Sequence, residues 1–242
     1  MNAPSAAAEL PPVSVIIPTW NEQERLPAAI TSTRFLPAAE VLVVDGGSGD
    51  ETCAVAAAAG ARVLVAPRGR ASQMNAGARA AGGDVLLFLH ADCQLPENAG
   101  AALRAALRDP RVGWGAFRHR IDSPRRLLRV IEAADNFRAE VLRRPYGDQA
   151  IFVRRSLFDQ VGGFPEVPLL EDVLLARRLR RAGRFRAAAA TVRTDSRRWE
   201  RYGVLRVTAV NSLVLVGSGL GLPISWLARL YYGDAALSRE SR

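Results

Sequence analysis

Residues 84–93, DVLLFLHADC, decide the fold. Val85 to Leu89 form an apolar run too short for a helix, and it suits a strand buried on both faces of a sheet. The run ends on His90, Ala91 and Asp92 and stops at Pro96. A buried strand that ends on one of only two histidines in the chain, with a carboxylate two residues on, ends at a site. Upstream the pattern alternates. ASQMNAGARAAG (71–82) reads as a helix, ARVLVA (61–66) as a strand, and the alanine-rich 51–59 as a helix stopped by Gly60. EVLVVDGGSGD (40–50) is a strand running into a glycine-rich turn. EQERLPAAITST (22–33) is a helix with Asn21 available as its N-cap, and VSVIIPT (13–19) is the first strand. Such alternation predicts a parallel α/β sheet, in which ligands bind beyond the carboxyl ends of the strands. Pro18–Glu22, Asp45–Asp50 and His90–Asp92 all follow strand ends, so three polar clusters converge on one edge.

Composition bounds the rest. A chain of 242 residues that is 49% hydrophobic and 24% charged has the length and balance of one large globular domain. Its formal charge of +9 comes from arginine alone, since none of the 33 basic residues is lysine. Arginine favours bidentate contact with phosphate and carboxylate; arginine-rich, lysine-free usage is equally what a GC-rich genome produces. Cys53 and Cys93 lack metal-site spacing and read as free thiols in a reducing compartment. The opening MNAPSAAAELPP has neither a basic start nor an apolar core of signal-peptide length, so the expectation is a cytoplasmic protein.

Downstream, ENAGAALRAALRD (97–109) reads as a helix, GWGAFRHRID (113–122) as one strand, and 125–144 as an arginine-studded helix. YGDQAIFVRRSLFDQVGGFPE (146–166) combines a turn, a strand and a glycine-capped helix. PLLEDVLLARRLRRAG (168–183) is a helix with Glu171 and Asp172 in its opening turn.

In order and interval, SVIIPTWNEQERL, VLVVDGGSGDET, GDVLLFLHADCQLP, GDQAIFVRRSLFDQVGGF and LLEDVLLARRLRRAG resemble family 2 glycosyltransferases over residues 13–185. GRASQMNAGARAAG and LFLHAD look most like a bacterial subgroup associated with arsenosugar biosynthesis. The resemblance implies the GT-A (Rossmann-like) α/β fold: a mostly parallel sheet flanked by helices, with a C-terminal helical extension. It further implies a nucleoside diphosphate sugar donor, most simply a UDP-sugar, a small-molecule or lipid-linked hydroxyl acceptor, and inversion with a divalent cation, magnesium or manganese.

Carried over residue by residue, the resemblance makes Pro18, Asn21 and Glu22 the first donor-binding loop and Asp45 a contact to base or ribose. The residues alone leave Asp45 equally a turn former and Asp50 equally an N-cap. Where the family has Asp-x-Asp, this chain has His90-Ala91-Asp92. Asp92 is then the metal ligand, His90 touches either metal or sugar, and one carboxylate suffices for a cation that borrows ligands from phosphate and water. The family's Arg-Asn-x-Gly is here Met74-Asn75-Ala76-Gly77, and Arg70, one turn earlier, is placed to supply the missing charge or to be a solvated arginine. Glu171 and Asp172 match the family's Glu-Asp box, with Asp172 as general base, although acidic residues also suit helix N-termini. Gly147, Asp148, Gln149 and Trp199 fall on the acceptor side.

Residues 207–228, VTAVNSLVLVGSGLGLPISWLA, are uncharged and long enough to span a bilayer, yet three glycines and Pro223 interrupt them. The expected arrangement is a buried helix, a glycine turn and an amphipathic helix; flanking arginines and aromatics also suit a protein lying on the inner face of a membrane. The division expected is a leader (1–12), a catalytic domain (13–200) and an extension (201–242), with the oligomeric state left open. Two other functions compete. A sugar-nucleotide nucleotidyltransferase needs a lysine-bearing phosphate loop, which a lysine-free chain lacks. A nucleic-acid binder needs its cations gathered on a reading element, and these are dispersed.

Overall fold

The computed structural model describes residues 10–36 and 40–232. Its frame is a run of strands and helices: β1 (Val13–Thr19), α1 (Leu26–Ser32), β2 (Glu40–Asp45), α2 (Thr52–Ala58), β3 (Arg62–Val65), α3 (Arg70–Ala80) and β4 (Val85–Phe88). β3, β2, β1 and β4 lie side by side and parallel. Side chains alternate across the pleat. Val15, Ile17 and Val43 therefore join Leu26, Ala56 and Leu103 on one face. Ile16, Leu42, Val44 and Phe88 join Met74, Leu175 and Leu179 on the other. Both faces are covered, which is why these strands read as continuous apolar runs.

The second half adds β5 (Cys93–Gln94), α4 (Ala99–Leu107), β6 (Val112–Gly115), β7 (Phe117–Asp122), α5 (Arg126–Glu140), a 3-10 turn at Gly147–Gln149, β8 (Phe152–Arg154) and α6 (Arg155–Gln160). It continues with α7 (Glu171–Ala182), β9 (Arg184–Phe185), β10 (Ala188–Asp195), α8 (Arg197–Tyr202), α9 (Val204–Gly219) and α10 (Ile224–Tyr232). The large sheet runs β3-β2-β1-β4-β8-β6-β9, and β8 alone opposes its neighbours. A small sheet, β5-β10-β7, stands beside it. The fold is the mostly parallel α/β arrangement expected.

Three local expectations are corrected. The stretch 113–122 is two strands in two sheets. At Gly115 the backbone presses so closely on its neighbours that a Cβ would lie 1.9 Å from the Arg186 carbonyl and 2.3 Å from the Phe152 ring, and the chain leaves the large sheet there. Asn21 is no helix cap: α1 begins after Arg25, with proline in its first turn, and Asn21 stands at φ +53°. Its Oδ1 accepts from Gly49 N–H at 2.9 Å and its own N–H donates to Ser48 Oγ at 2.8 Å, clasping the β2–α2 loop. Finally, α9 is not buried. Val204, Val207, Val214 and Gly217 face inward, but among the described residues no layer covers the other side, so Leu205, Leu213 and Val216 are exposed. The turn expected after it is present, with Gly221 at φ +83°. The expected leader lies outside the described residues except for Leu10, Pro11 and Pro12, as do the final residues of the extension, 233–242. Among the described residues no helix is long and apolar enough to cross a membrane.

Candidate active site

Beyond the carboxyl ends of β1 and β4 lies a cleft of about 1000 Å³, bordered by Pro18, Glu22, Arg70, His90, Asp92 and Arg197 among others. It adjoins a smaller chamber of about 170 Å³ that holds Gly147, Asp148, Asp172 and Trp199. Arg70, His90, Asp92, Glu171, Arg197 and Tyr231 border both spaces. Together they have the size of a site for a small organic ligand.

The loops around the cleft are fixed by their own backbone contacts. Gln73, on α3, donates to the carbonyls of Thr19 and Val44 at 2.7 Å each and ties the ends of β1 and β2 together. Asn75 exchanges two hydrogen bonds of 2.9 Å with the Phe164 backbone, which accounts for this asparagine within the Met-Asn-Ala-Gly run. Asp45 is buried, and its Oδ2 accepts from the N–H groups of Gly47 and Ser48 at 2.8 Å. Its Oδ1 accepts from Ser48 Oγ. In this geometry Asp45 and Asn21 shape the loop from behind and do not border the cleft. Asp50 accepts from Thr52 N–H at 3.1 Å and so opens α2. Gln149 is likewise turned inward: its Oε1 accepts from Tyr146 N–H at 3.0 Å and its amide donates to Asn136 at 3.3 Å.

Glu22 borders the cleft and pairs with Arg197 at 2.5 Å, while its second oxygen is buried without a hydrogen bond. Burial raises its carboxyl, with Arg197 opposing. His90 and Asp92, with Cys93, bring ligand atoms within 4.8 Å of one another. Burial, then the neighbouring Arg70, lowers the His90 imidazole, which favours a neutral ring. Burial pushes the Cys93 thiol well up, and it is held between Asp148 O and Thr194 Oγ1. A hard divalent cation prefers oxygen and accepts imidazole, so Asp92 with His90 fits magnesium or manganese and the protonated Cys93 does not contribute.

At the smaller chamber, Gly147 N–H donates to Asp172 Oδ2 at 2.6 Å and Val173 N–H donates to Oδ1 at 2.7 Å. These two donors orient the carboxylate toward the chamber. A Cβ on Gly147 would meet the His90 ring at 2.5 Å, so only glycine permits this approach. Glu171 is 5% exposed, and burial followed by the charge of Asp172 pushes its carboxyl up to about 7; Arg70 stands 3.8 Å away. Leu170, immediately before the pair, adopts φ +67°, and Ala150, after the Gly147–Gln149 turn, adopts φ +44°. Left-handed backbone at such residues costs about 1–3 kcal/mol and persists only where packing enforces it. Here it falls in the two loops that carry Gly147 and the Glu171–Asp172 pair.

Several residues at the site escaped the reading of the sequence. His119, on β7, is 1% exposed, with its ring nitrogens 3.3 Å from Asp135 Oδ2 and 3.6 Å from Asp148 Oδ2. Burial opposes its charge, but Asp148 and Asp135 outweigh that and raise it. The alternation of FRHRID, with His119 on the same face as Phe117 and Ile121, was an available signal. Arg197 and Arg198 had no signal among so many arginines. Arg198 lies over the Tyr231 ring at 4.2 Å and reaches Asn211.

Compared with known proteins, residues 14–164 match the model of glycosyl transferase family 2. An uncharacterised glycosyltransferase of Mycobacterium tuberculosis is 43% identical over 82 residues, 33% of this chain and 36% of its own. An undecaprenyl-phosphate 4-deoxy-4-formamido-L-arabinose transferase of Sodalis glossinidius is 32% identical over 163 residues, 61% of this chain and 50% of its own. The chain thus spans between about a third and a half of these relatives. Among solved structures, a mannosyltransferase of Pyrobaculum calidifontis in complex with GDP-Man and Mn2+ is similar over 97% of this chain and 74% of that one, with TM-score 0.68 and 20% identity. Glucosyl-3-phosphoglycerate synthase of Mycobacterium tuberculosis, with Mn2+, UDP and glucosyl-3-phosphoglycerate, is similar over 92% and 87%, with TM-score 0.61 and 20% identity. These neighbours share the GT-A fold.

Proposed function

The chain belongs to glycosyl transferase family 2, and from that premise we propose that it transfers a glycosyl group, with inversion, from a nucleoside diphosphate sugar to a hydroxyl acceptor. The observation that carries the reading is the continuity of the two spaces: His90, Asp92 and Glu171 border both, and Asp172 opens into the smaller. A donor in the cleft would have its diphosphate near Arg70 and Arg197, cations with the planar fork suited to phosphate. Asp92, with His90 beside it, would hold a divalent cation, which supplies neutralisation of charge on the departing diphosphate.

Asp172 is the general base in this reading. One carboxylate oxygen takes the proton of the acceptor hydroxyl as that oxygen attacks the anomeric carbon from the face opposite the diphosphate. The bond to the diphosphate breaks, its electron pair leaves with the phosphate oxygen, and the configuration inverts. Gly147 and Val173 N–H groups hold the carboxylate in the required orientation. Neighbours named with UDP and with GDP-Man support a nucleoside diphosphate donor, and we take a uridine donor as the first choice. The acceptor is a small molecule or a lipid-linked compound; a relative named as an undecaprenyl-phosphate transferase supports the second class.

A panel of nucleoside diphosphate sugars, read by thermal shift with and without manganese, tests the donor assignment. At least one donor is expected to stabilise the protein more when manganese is present. Product stereochemistry read by NMR then tests inversion, and a retained configuration would remove it.

A further inference from the structure

The helices that form the inner wall of the acceptor chamber carry an apolar outer face. On α9, Leu205, Leu213 and Val216 are 76%, 51% and 60% exposed, and their spacing places them on one side of the helix with Leu220 just beyond its end. On α10, Trp226 and, two residues before the helix, Leu222 are exposed as well, and Leu230, one turn on, is exposed where the helix borders the cleft. The adjoining α5 shows a third stripe, Leu127, Val130, Phe137 and Val141. α5 and α9 are joined through Leu128, Ile131, Trp199, Val204 and Val207. Single exposed leucines are ordinary, but packed neighbouring helices that each carry an exposed apolar stripe mark a surface that meets a partner.

The charge around this surface identifies the partner. Between residues 201 and 232 there is no aspartate or glutamate, and the charged residues are Arg201, Arg206 and Arg229, all exposed. Exposed Arg125, Arg126, Arg143 and Arg144 lie at the ends of the α5 stripe. The carboxylates of α5 are engaged elsewhere: Glu132 with Ile121 N–H and Arg129, Asp135 with Arg138, Glu140 with Arg118. A second copy docking by this face would set arginine against arginine across a twofold axis. An anionic lipid surface offers hydrocarbon for the leucines and phosphate for the arginines. The exposed leucines and arginines lie along the surface of these helices, a geometry that suits a protein lying on the bilayer.

We propose that α9, α10 and α5 dock the enzyme on an anionic bilayer surface, so that an amphiphilic acceptor reaches the chamber directly from the lipid. Two of these helices, α9 and α10, also supply the chamber's inner wall, with Val214, Leu215 and Tyr231 lining it together with Leu169 and Leu170. The delivery of acceptor rests on the transfer reading above; the docking does not.

Co-sedimentation of the full-length protein with vesicles, without any donor, tests the docking separately from the chemistry. Vesicles of phosphatidylcholine mixed with phosphatidylglycerol are expected to carry the protein down, and phosphatidylcholine alone is not. Leu213→Ser with Val216→Ser, outside the lining of either space, is expected to weaken binding by more than about tenfold and leave thermal stabilisation by a nucleoside diphosphate sugar unchanged. Leu127→Ser with Val130→Ser serves as an independent check on α5. The proposal is overturned if the protein ignores phosphatidylglycerol vesicles, if neither double variant alters binding, or if light scattering shows a dimer that the α9 variant dissociates.

Discussion

In the proposed reading the donor half of the site and its acceptor half are built differently. Around the cleft, the strand ends of β1, β2 and β4 sit in a sheet covered on both faces, and the side chains of Asp45, Asn21 and Gln73 are tied to the backbone of the loops by hydrogen bonds. Around the chamber, the walls come from α7, α8, α9 and α10, two loops hold left-handed non-glycine backbone, and a buried histidine lies between two carboxylates without an aligned hydrogen bond. A scaffold of the first kind presents a cleft already formed. The second kind holds its groups through charge and through left-handed backbone at Ala150 and Leu170, residues that tolerate it less well than Asn21 does on the cleft side, and its outer surface is left apolar.

Asp172→Asn is the sharpest way to break this division. Removing the base is expected to lower turnover by about 10²–10⁴ with little change in donor affinity. A transfer assay paired with donor titration decides it; parallel loss of both would merge the two halves and return the Glu-Asp pair to a helix-capping role. Asp92→Asn is the converse. It is expected to abolish the tightening of nucleoside diphosphate binding by manganese, measured calorimetrically, while the fold persists.

His119→Phe should expose the weakness of the acceptor half. It leaves Asp148 and Asp135 facing an apolar ring, and breaking such a buried charge cluster costs on the order of 3 kcal/mol. Urea unfolding measures the loss. Turnover is expected to suffer more than donor affinity, because Asp148 sits next to Gly147, which orients Asp172.

The smallest expected effect is in the pH dependence of stability. Glu171 and His119 both have folded values raised above the ordinary ones, so across each interval the folded state holds a proton that the unfolded state has lost. Stability is therefore fullest at low pH within these intervals and declines as pH rises. Glu171 contributes from the usual carboxylate range up to about 7, and His119 from its ordinary value upward. Glu171→Gln is expected to flatten the lower part of a melting-temperature profile and leave the decline above it in place. An unchanged slope below neutrality would mean that Glu171 is ionised throughout.

The legibility of the sequence follows the same division. VSVIIPT, EVLVVD and DVLLFLH announced their strands because strands buried on both faces must be apolar at every position. GWGAFRHRID misled, because the break at Gly115 depends on how closely Arg186 and Phe152 approach from distant segments. Pro18, Glu22, His90 and Asp92 were found at the cleft because strand ends in a parallel sheet share one edge. Asp45 and Gln149 were legible as loop residues, but the inward turn of their side chains was not.

Alternation and strand-end chemistry thus determined the parallel sheet, the edge that carries the site and the Glu-Asp pair at the start of α7, since these depend on period and local order along the chain. Only the tertiary structure decided that His119 backs Asp148, that Gly147 presses on His90, that Arg197 meets Glu22 and that α9 has an uncovered face. Those contacts join residues from separate elements. Which side of a helix finds a partner depends on the layers available to cover it, and no local pattern records that.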